Sequence, residues 1–574
     1  MRIKALSHSA KRKAKTLRCV MAHRTPAFRR GILSNYRPRI AKVESGSRQI
    51  SEGGRSLLMR RFLPLAAVLF VVLALTVARF DGAQSAVTTL RFEITIAKNL
   101  RDVPQDGRLL VVLGRSGRPE PRLRIDTSQG ASKILGVDVN GLPTGATSVV
   151  DQKAMIFPAK DLANLPPGDY FAQAVFDVSR DLKLVNAPGN LCGEPVKVKI
   201  DPVAGGTVKL ELTRQLPPEE WPTDTGYVKF IKLKSELLSK FHGRPMYLRA
   251  AVILPRDFDK DKDRCYPLRV HIGGFSTRFS AAQGFLRPGS GFSKAWLADD
   301  APRMILLHLD GAGPFGDPYQ VNSANNGPYG DAVTQELIPH VEKKYRGIAR
   351  PYARVLDGTS TGGWVSLALQ VFYPDFFNGA WAHAPDPVDF RAFELVNIYE
   401  EDNVYVDRRG LERPSARESN GDVRFTMRHE VQIERVLGRG DRWELGGRDW
   451  GSWNAVFGPR GDDGLPRPLW DGKNGKIDRS VLEHWKKYDL RLTLERDWKT
   501  LGPKLRGKLR IWVGEADDYF LNNAVHLLDN FLSKAQPAYE GKITYGPRGG
   551  HGWRVLTEKQ LLDEMAAAVE RGKP

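Results

Sequence analysis

The sequence predicts an α/β domain built on a mostly parallel sheet, preceded by a β-sandwich-like domain. From about residue 226 to 574, apolar runs of strand length alternate with helical ones, the rhythm of a parallel sheet covered by helices. Before it, residues 87–215 hold short strand-like runs split by Pro and Gly, the pattern of a sandwich. In addition, the octapeptide DGTSTGGW at 357–364 places G-x-S-x-G between a strand-like and a helix-like run.

In the first domain the strand candidates are Val87–Ile96, Arg108–Leu113, Ala172–Phe176, Val196–Ile200 and Thr207–Leu212. This domain contains no histidine and reads as an accessory module, structural or glycan-binding. LPPEEWP at 216–222 reads as a linker. In the second domain, Leu248–Leu254, Leu268–Ile272, Met304–Leu309 and Leu509–Val513 read as strands. Helices are expected over Val333–Tyr345, where Leu337, Ile338, Val341 and Tyr345 share a face, over Val365–Val371 and over Asn523–Leu532. Residues from about 398 to 500 break the rhythm. They are rich in charge, Gly and Trp and are expected to form an insertion over the carboxyl edge of the sheet. Aligning Gly475 of DGKNGKID (471–478) with the glycine of a calcium loop puts Trp470 at the first ligand position, which excludes an EF-hand.

The net charge of +21 resembles a nucleic-acid signal, but its distribution argues otherwise. Residues 1–58 carry 15 Lys and Arg against two Glu, and residues 59–86 three Arg against one Asp, so 87–574 hold only +6. That is no basis for expecting a nucleic-acid partner. The unbroken apolar run 62–78, preceded by Arg60-Arg61 and followed by Ala83-Gln84-Ser85, reads as an export signal; retention as a membrane anchor is the other reading. Arg60-Arg61-Phe62-Leu63 hints at a twin-arginine signal, and Met59 is a natural start, which makes 1–58 a disordered or over-extended leader. The expected location is therefore periplasmic, secreted or envelope-associated. Of three cysteines, Cys192 and Cys265 would remain after cleavage and would be able to pair in an oxidising compartment. No Cys/His spacing suits a metal.

A serine hydroxyl needs a base to take its proton and donors to hold the oxyanion. The G-x-S-x-G turn makes Ser360 a candidate nucleophile. Strand 509–513 runs into GEADDYFL, which offers Asp517, and 34 residues further on lies GGHGW with His551. The order Ser…Asp…His is that of a hydrolase triad, with His551 as base and Asp517 or Asp518 as its orienting acid. The N–H of Thr361 and that of Gly274 or Phe275, in the HIGGF run after strand 268–272, are the candidate oxyanion donors. This chemistry requires no metal and no cofactor.

HIGGF (271–275), ANNGPYGDAVTQELIPHVEKKYR (324–346), GTSTGGW, GEADDYFL and GGHGW together resemble the "putative esterase" branch of the α/β-hydrolases. That branch includes esterase D (S-formylglutathione hydrolase), feruloyl and acetylxylan esterases, and enterochelin esterase. The likeness covers about 226–400 and 500–570. It implies an α/β-hydrolase fold and a serine esterase working through an acyl-enzyme. The Asp-Asp pair also resembles prolyl-oligopeptidase-type peptidases, whose first aspartate is the acid, which favours Asp517. The family usually has Met after the nucleophile. Thr361 keeps the N–H but is expected to make the pocket wall smaller and more polar.

Tryptophans of the insertion, among them Trp443, Trp450, Trp453, Trp470 and Trp485, suggest stacking on sugar and hence an ester on a polysaccharide; the other reading is that they build the insertion's own core. Two rival functions stay open, a prolyl-oligopeptidase-type peptidase and a non-catalytic binding protein of the same fold. The second predicts a serine held away from the histidine.

Overall fold

The computed structural model describes residues 87–574 apart from 99, 102 and 129. The basic leader and the apolar run 62–78 lie outside the described residues.

The first region packs a three-stranded sheet on a seven-stranded one. In the smaller sheet Arg91–Ile96 runs between Thr147–Val150 (antiparallel) and Thr207–Leu212 (parallel). The larger centres on Gln105–Gly114, flanked antiparallel by Lys133–Leu142 and Gly168–Asp177. Strand 133–142 escapes sequence reading because KILGVDVNGL mixes two Gly and an Asn into a weak alternation. Leu109 to Leu113 are buried without interruption, because both faces of this strand are covered. Leu109, Val111 and Leu113 join Phe92, Ile94 and Leu210 between the two sheets. Leu110 and Val112 face the other way, onto Ile433, Val436 and Leu437 from the far insertion. Gly136 permits this approach: a Cβ there would lie 2.6 Å from the Val436 carbonyl oxygen. Arg108 Nε donates to the same oxygen at 2.9 Å. Cys192 lies buried in this sheet and Cys265 is exposed, and both are free, so the pairing left open by the sequence is not made.

The second region is an eight-stranded sheet. Its strands are β1 (Val228–Ser235), β2 (Met246–Ile253), β3 (Leu268–Ile272), β4 (Ile305–Leu309), β5 (Arg354–Thr359), β6 (Ala380–His383), β7 (Leu509–Gly514) and β8 (Lys542–Gly546). Their spatial order is β1-β2-β4-β3-β5-β6-β7-β8. Only β1–β2 and β2–β4 are antiparallel. Alternation sorts each strand onto two cores. Val252, Leu307 and Leu356 point to one face. Ala251, Leu306 and Val355 point to the other, under Leu562 and Met565 of the C-terminal helix. Helix α1 (Thr361–Phe372) is buried along nearly its whole circumference, as its largely apolar sequence allows.

The chain leaves the sheet after His383 and returns only at Leu509. This excursion carries helices α2 (Met427–Leu437) and α3 (Asp449–Phe457). Its six tryptophans, Trp498 included, are each 5% exposed or less. Trp443 and Trp470 stack at 4.1 Å between ring centroids, and Trp450 meets Trp453 edge-on at 4.8 Å. Trp443, Trp450, Trp470 and Trp485 are packed into the core and offer no platform, which corrects the sugar-stacking expectation for them; Trp453 alone reaches the cavity wall.

Ile433 on α2 is fully buried between the two regions. Ile433→Ala is expected to remove about 2–5 kcal/mol of packing and to lower the melting temperature of the full chain. An unchanged melting curve would show that this face is not packed in solution.

Candidate active site

β5 passes directly into α1 through Ser360, whose backbone sits at φ 58°, ψ −123°. This is a sparsely populated conformation for a non-glycine residue and costs on the order of 1–3 kcal/mol. Crowding explains the two framing glycines. A Cβ on Gly358 would lie 2.2 Å from the Gly362 carbonyl oxygen, and one on Gly362 would lie 2.1 Å from that of Ile272 on β3. The turn is pinned from the next strand by Ser360 N–H donating to the His383 carbonyl at 2.9 Å.

Beneath the turn, Asp357 on β5 receives a two-pronged ion pair from Arg269 on β3, at 2.8 and 2.7 Å, and His271 Nδ1 lies 2.9 Å away. Burial disfavours the charged carboxylate, but Arg269 and His271 outweigh it and hold Asp357 below the usual carboxylate range.

β7 ends in the turn that carries Asp517, which is fully buried. Its Oδ1 accepts the N–H groups of Tyr519 (2.9 Å) and Leu521 (3.3 Å), and its Oδ2 lies 2.9 Å from His551 Nδ1. Asp518 has a different task. Its Oδ1 accepts the His551 backbone N–H at 3.0 Å, and its Oδ2 pairs with Arg424 at 3.3 Å. The geometry thus selects Asp517 as the ring's partner. With Nδ1–H directed at a carboxylate, Nε2 is the acceptor nitrogen. Burial pulls the His551 pKa down, but the hydrogen bond and charge of Asp517, helped by Asp386 and Asp518, leave it above the ordinary 6.5.

Ser360 Oγ makes no hydrogen bond to His551. It donates instead to Asp386 Oδ1 at 3.3 Å. Sequence reading missed Asp386, which sits just past β6 in HAPDP. Its Oδ2 accepts Tyr319 O–H at 2.5 Å, Thr361 Oγ1 at 3.0 Å and Trp453 Nε1 at 3.2 Å. Burial pushes the Asp386 carboxyl above its usual range against these donors. The expectation for Thr361 is corrected here. Its side chain is 2% exposed and bonded to Asp386 and Tyr319, so it lies under the pocket instead of forming its wall.

Gly274 flanks the serine: a methyl group built on it would lie 4.0 Å from Ser360 Cβ. Gly274 and Phe275 both line the cavity that holds Ser360 and His551. Thr361 supplies the first N–H of α1, which intrahelical bonding leaves free.

That cavity measures about 730 Å³. Its far wall comes from the excursion, through Glu394, Arg424, Phe425, Glu430, Arg448, Asp449 and Trp453 among others. Asp126, Thr127 and Ser128 of the N-terminal region complete it, so the module read as structural or glycan-binding lines the cavity itself. No local motif marks any of these residues. Only the loop after β6, where a Pro-flanked Asp follows a buried strand, carried a legible signal.

Sheet order, serine turn and His–Asp pair define an α/β-hydrolase. A family model described as "Putative esterase" matches residues 247–554, and the chain belongs to that family. It is a serine carboxylic ester hydrolase. No curated protein matches it in a sequence search. Among solved structures, a ferulic acid esterase aligns at 15% identity over 60% of this chain and 98% of its own, with a TM-score of 0.37. An S-formylglutathione hydrolase from Agrobacterium tumefaciens aligns at 13% identity over 61% and 98%, TM-score 0.32. MPT51 of Mycobacterium tuberculosis aligns at 14% identity over 61% and 99%, TM-score 0.34.

Gly362→Ala forces the added methyl against the Ile272 carbonyl. It is expected to lower the melting temperature and, by displacing Ser360, to reduce ester turnover. Wild-type values for both would mean that β3 and α1 do not approach this closely.

Proposed function

We propose that Ser360, His551 and Asp517 hydrolyse a carboxylic ester through a covalent acyl-enzyme. The observation that carries this reading is the 2.9 Å contact between His551 Nδ1 and Asp517, made in the cavity that holds Ser360 on its strained turn. The serine side chain turns from Asp386 to His551, and Oγ attacks the ester carbonyl carbon as His551 Nε2 takes its proton. The N–H of Thr361 and that of Gly274 or Phe275 hold the oxyanion. As the tetrahedral intermediate collapses, the C–O bond breaks and His551 returns the proton to the departing alcohol. Water, deprotonated by the same ring, then attacks the acyl carbon and releases the carboxylic acid and Ser360. Asp517 keeps the ring in one tautomer and stabilises the imidazolium.

The substrate is a small ester or the ester-bearing end of a larger molecule, in keeping with a cavity of about 730 Å³. A link to polysaccharide draws no support from the buried tryptophans. We also propose export from the cytoplasm, on the strength of Arg60-Arg61 and the apolar run 62–78.

Ser360→Ala is expected to lower kcat for p-nitrophenyl acetate by about 10⁴-fold or more and to abolish labelling by a fluorophosphonate probe. Unchanged turnover or labelling would remove Ser360 from the mechanism. Only the neutral imidazole accepts the serine proton, and the His551 pKa is raised. The acid limb of kcat/KM is therefore expected above pH 6.5, with activity lost as pH falls through it. Asp517→Asn removes the stabilising charge and is expected to move that limb down while cutting kcat. A limb that stays in place would show that Asp517 does not act on this ring.

A further inference from the structure

The wall of the cavity contributed by the excursion is unusual in its charge. Glu394 is 2% exposed and Glu430 6% exposed. Both reach the same hydroxyl, with Ser415 Oγ 2.9 Å from Glu394 Oε2 and 2.6 Å from Glu430 Oε2. One hydroxyl has one proton to give, so it satisfies only one of the two carboxylates. Glu430 Oε2 also accepts Trp450 Nε1–H at 2.8 Å, but Oε1 of Glu394 and Oε1 of Glu430 receive no hydrogen bond from the described residues. Asp449 lines the same cavity and forms no ion pair among the described residues.

Arg424, Arg448 and Arg554 line the same cavity, but among the described residues none forms an ion pair with these three acids. Arg424 is committed to Glu418 and Asp518. Arg448 acts on Glu430 and Asp449 electrostatically, but its guanidinium donates to the Ile125 carbonyl at 3.1 Å and makes no ion pair with either. Buried carboxylates without full partners are costly unless something cationic meets them or they hold protons. Burial accordingly raises all three, Glu394 well above its usual value and Asp449 to about 7. Ionisable groups perturbed in this way inside a reaction cavity are candidates for ligand contact.

Phe425, Trp453 and Tyr519 line the same space. Aromatic faces beside carboxylates suit an ammonium, which draws on both ring quadrupole and charge. A divalent metal fits less well, since among the described residues no group of three His, Cys, Asp or Glu is arranged to hold one.

We propose that Glu394, Glu430 and Asp449 form an ammonium-binding subsite, and that the ester cleaved at Ser360 carries a protonated amine or a quaternary ammonium lying against them. This rests on the esterase mechanism proposed above and names its substrate class. It follows that the protein prefers a cationic ester to a neutral one of the same shape.

Two matched pairs test this with the full chain. On the acyl side, p-nitrophenyl 6-aminohexanoate is compared with p-nitrophenyl heptanoate. On the alcohol side, the acetate ester of choline is compared with 3,3-dimethylbutyl acetate, its uncharged carbon isostere. In at least one pair the cationic ester is expected to show a kcat/KM about tenfold or more above its neutral partner, corresponding to about 1.4 kcal/mol. Glu394→Gln and Glu430→Gln are each expected to bring that ratio towards one, mainly through KM. Equal turnover within both pairs by the wild-type protein, or preference for the neutral ester in both, overturns the subsite whether or not the variants fold. Failure to cleave any of the four esters, together with no fluorophosphonate labelling, overturns the esterase mechanism and the subsite with it.

Discussion

The site depends on how closely backbone passes backbone at the end of β5. Gly358 and Gly362, two positions either side of Ser360, have no room for side chains, because the α1 backbone presses on the β3 carbonyl of Ile272 and folds back over Gly358. This crowding fixes where α1 starts, and with it the direction of the first free N–H, the strained φ of Ser360 and the position of its hydroxyl above the sheet. It is tolerable because β3 and β5 are locked together beneath it by Arg269 and Asp357. Breaking such a buried pair by removing one partner would leave an uncompensated charge in the core, so the strands beneath the turn are poorly able to slide.

Around this fixed turn the chain distributes its acidic groups by role. Asp357 is fully paired and belongs to the scaffold. Asp517 takes two backbone N–H groups and one imidazole, which aims it at His551. Asp386 is surrounded by Tyr319, Thr361, Trp453 and Ser360 hydroxyl or indole donors, with no cation bonded to it, and its pKa rises. Glu394 and Glu430 have fewer donors still. The five carboxylates thus run from full compensation beneath the serine to partial compensation across the cavity. The least compensated are the ones placed where a substrate would lie.

The excursion between β6 and β7 and the N-terminal sheets act as one roof. Helix α2 covers the outer face of the seven-stranded sheet with Ile433, Val436 and Leu437, and its Glu430 looks into the cavity. Its amphipathic sequence therefore serves two neighbours: the apolar stripe joins the domains while a buried acid faces the site. The tryptophans that stack inside the excursion hold this roof in shape, and Trp453 alone among them lines the cavity.

Sequence alone determined the strand–helix rhythm, the serine turn and the order Ser360, Asp517, His551, because each is encoded locally, by two-residue or 3.6-residue periodicity or by glycines that a tight turn demands. It favoured Asp517 over Asp518 only through a resemblance and left Asp518 open. Only the tertiary structure separated them, since the choice depends on which carboxylate a loop 34 residues away meets with its ring and which it meets with its backbone. The same holds for the free cysteines, the burial of the tryptophans, the contact of Thr361 with Asp386, and the cavity wall built from residues 126–128, 394, 430 and 449. These contacts join residues tens to hundreds of positions apart. No periodicity records them, because what brings them together is the packing of whole elements and not the preference of any one segment.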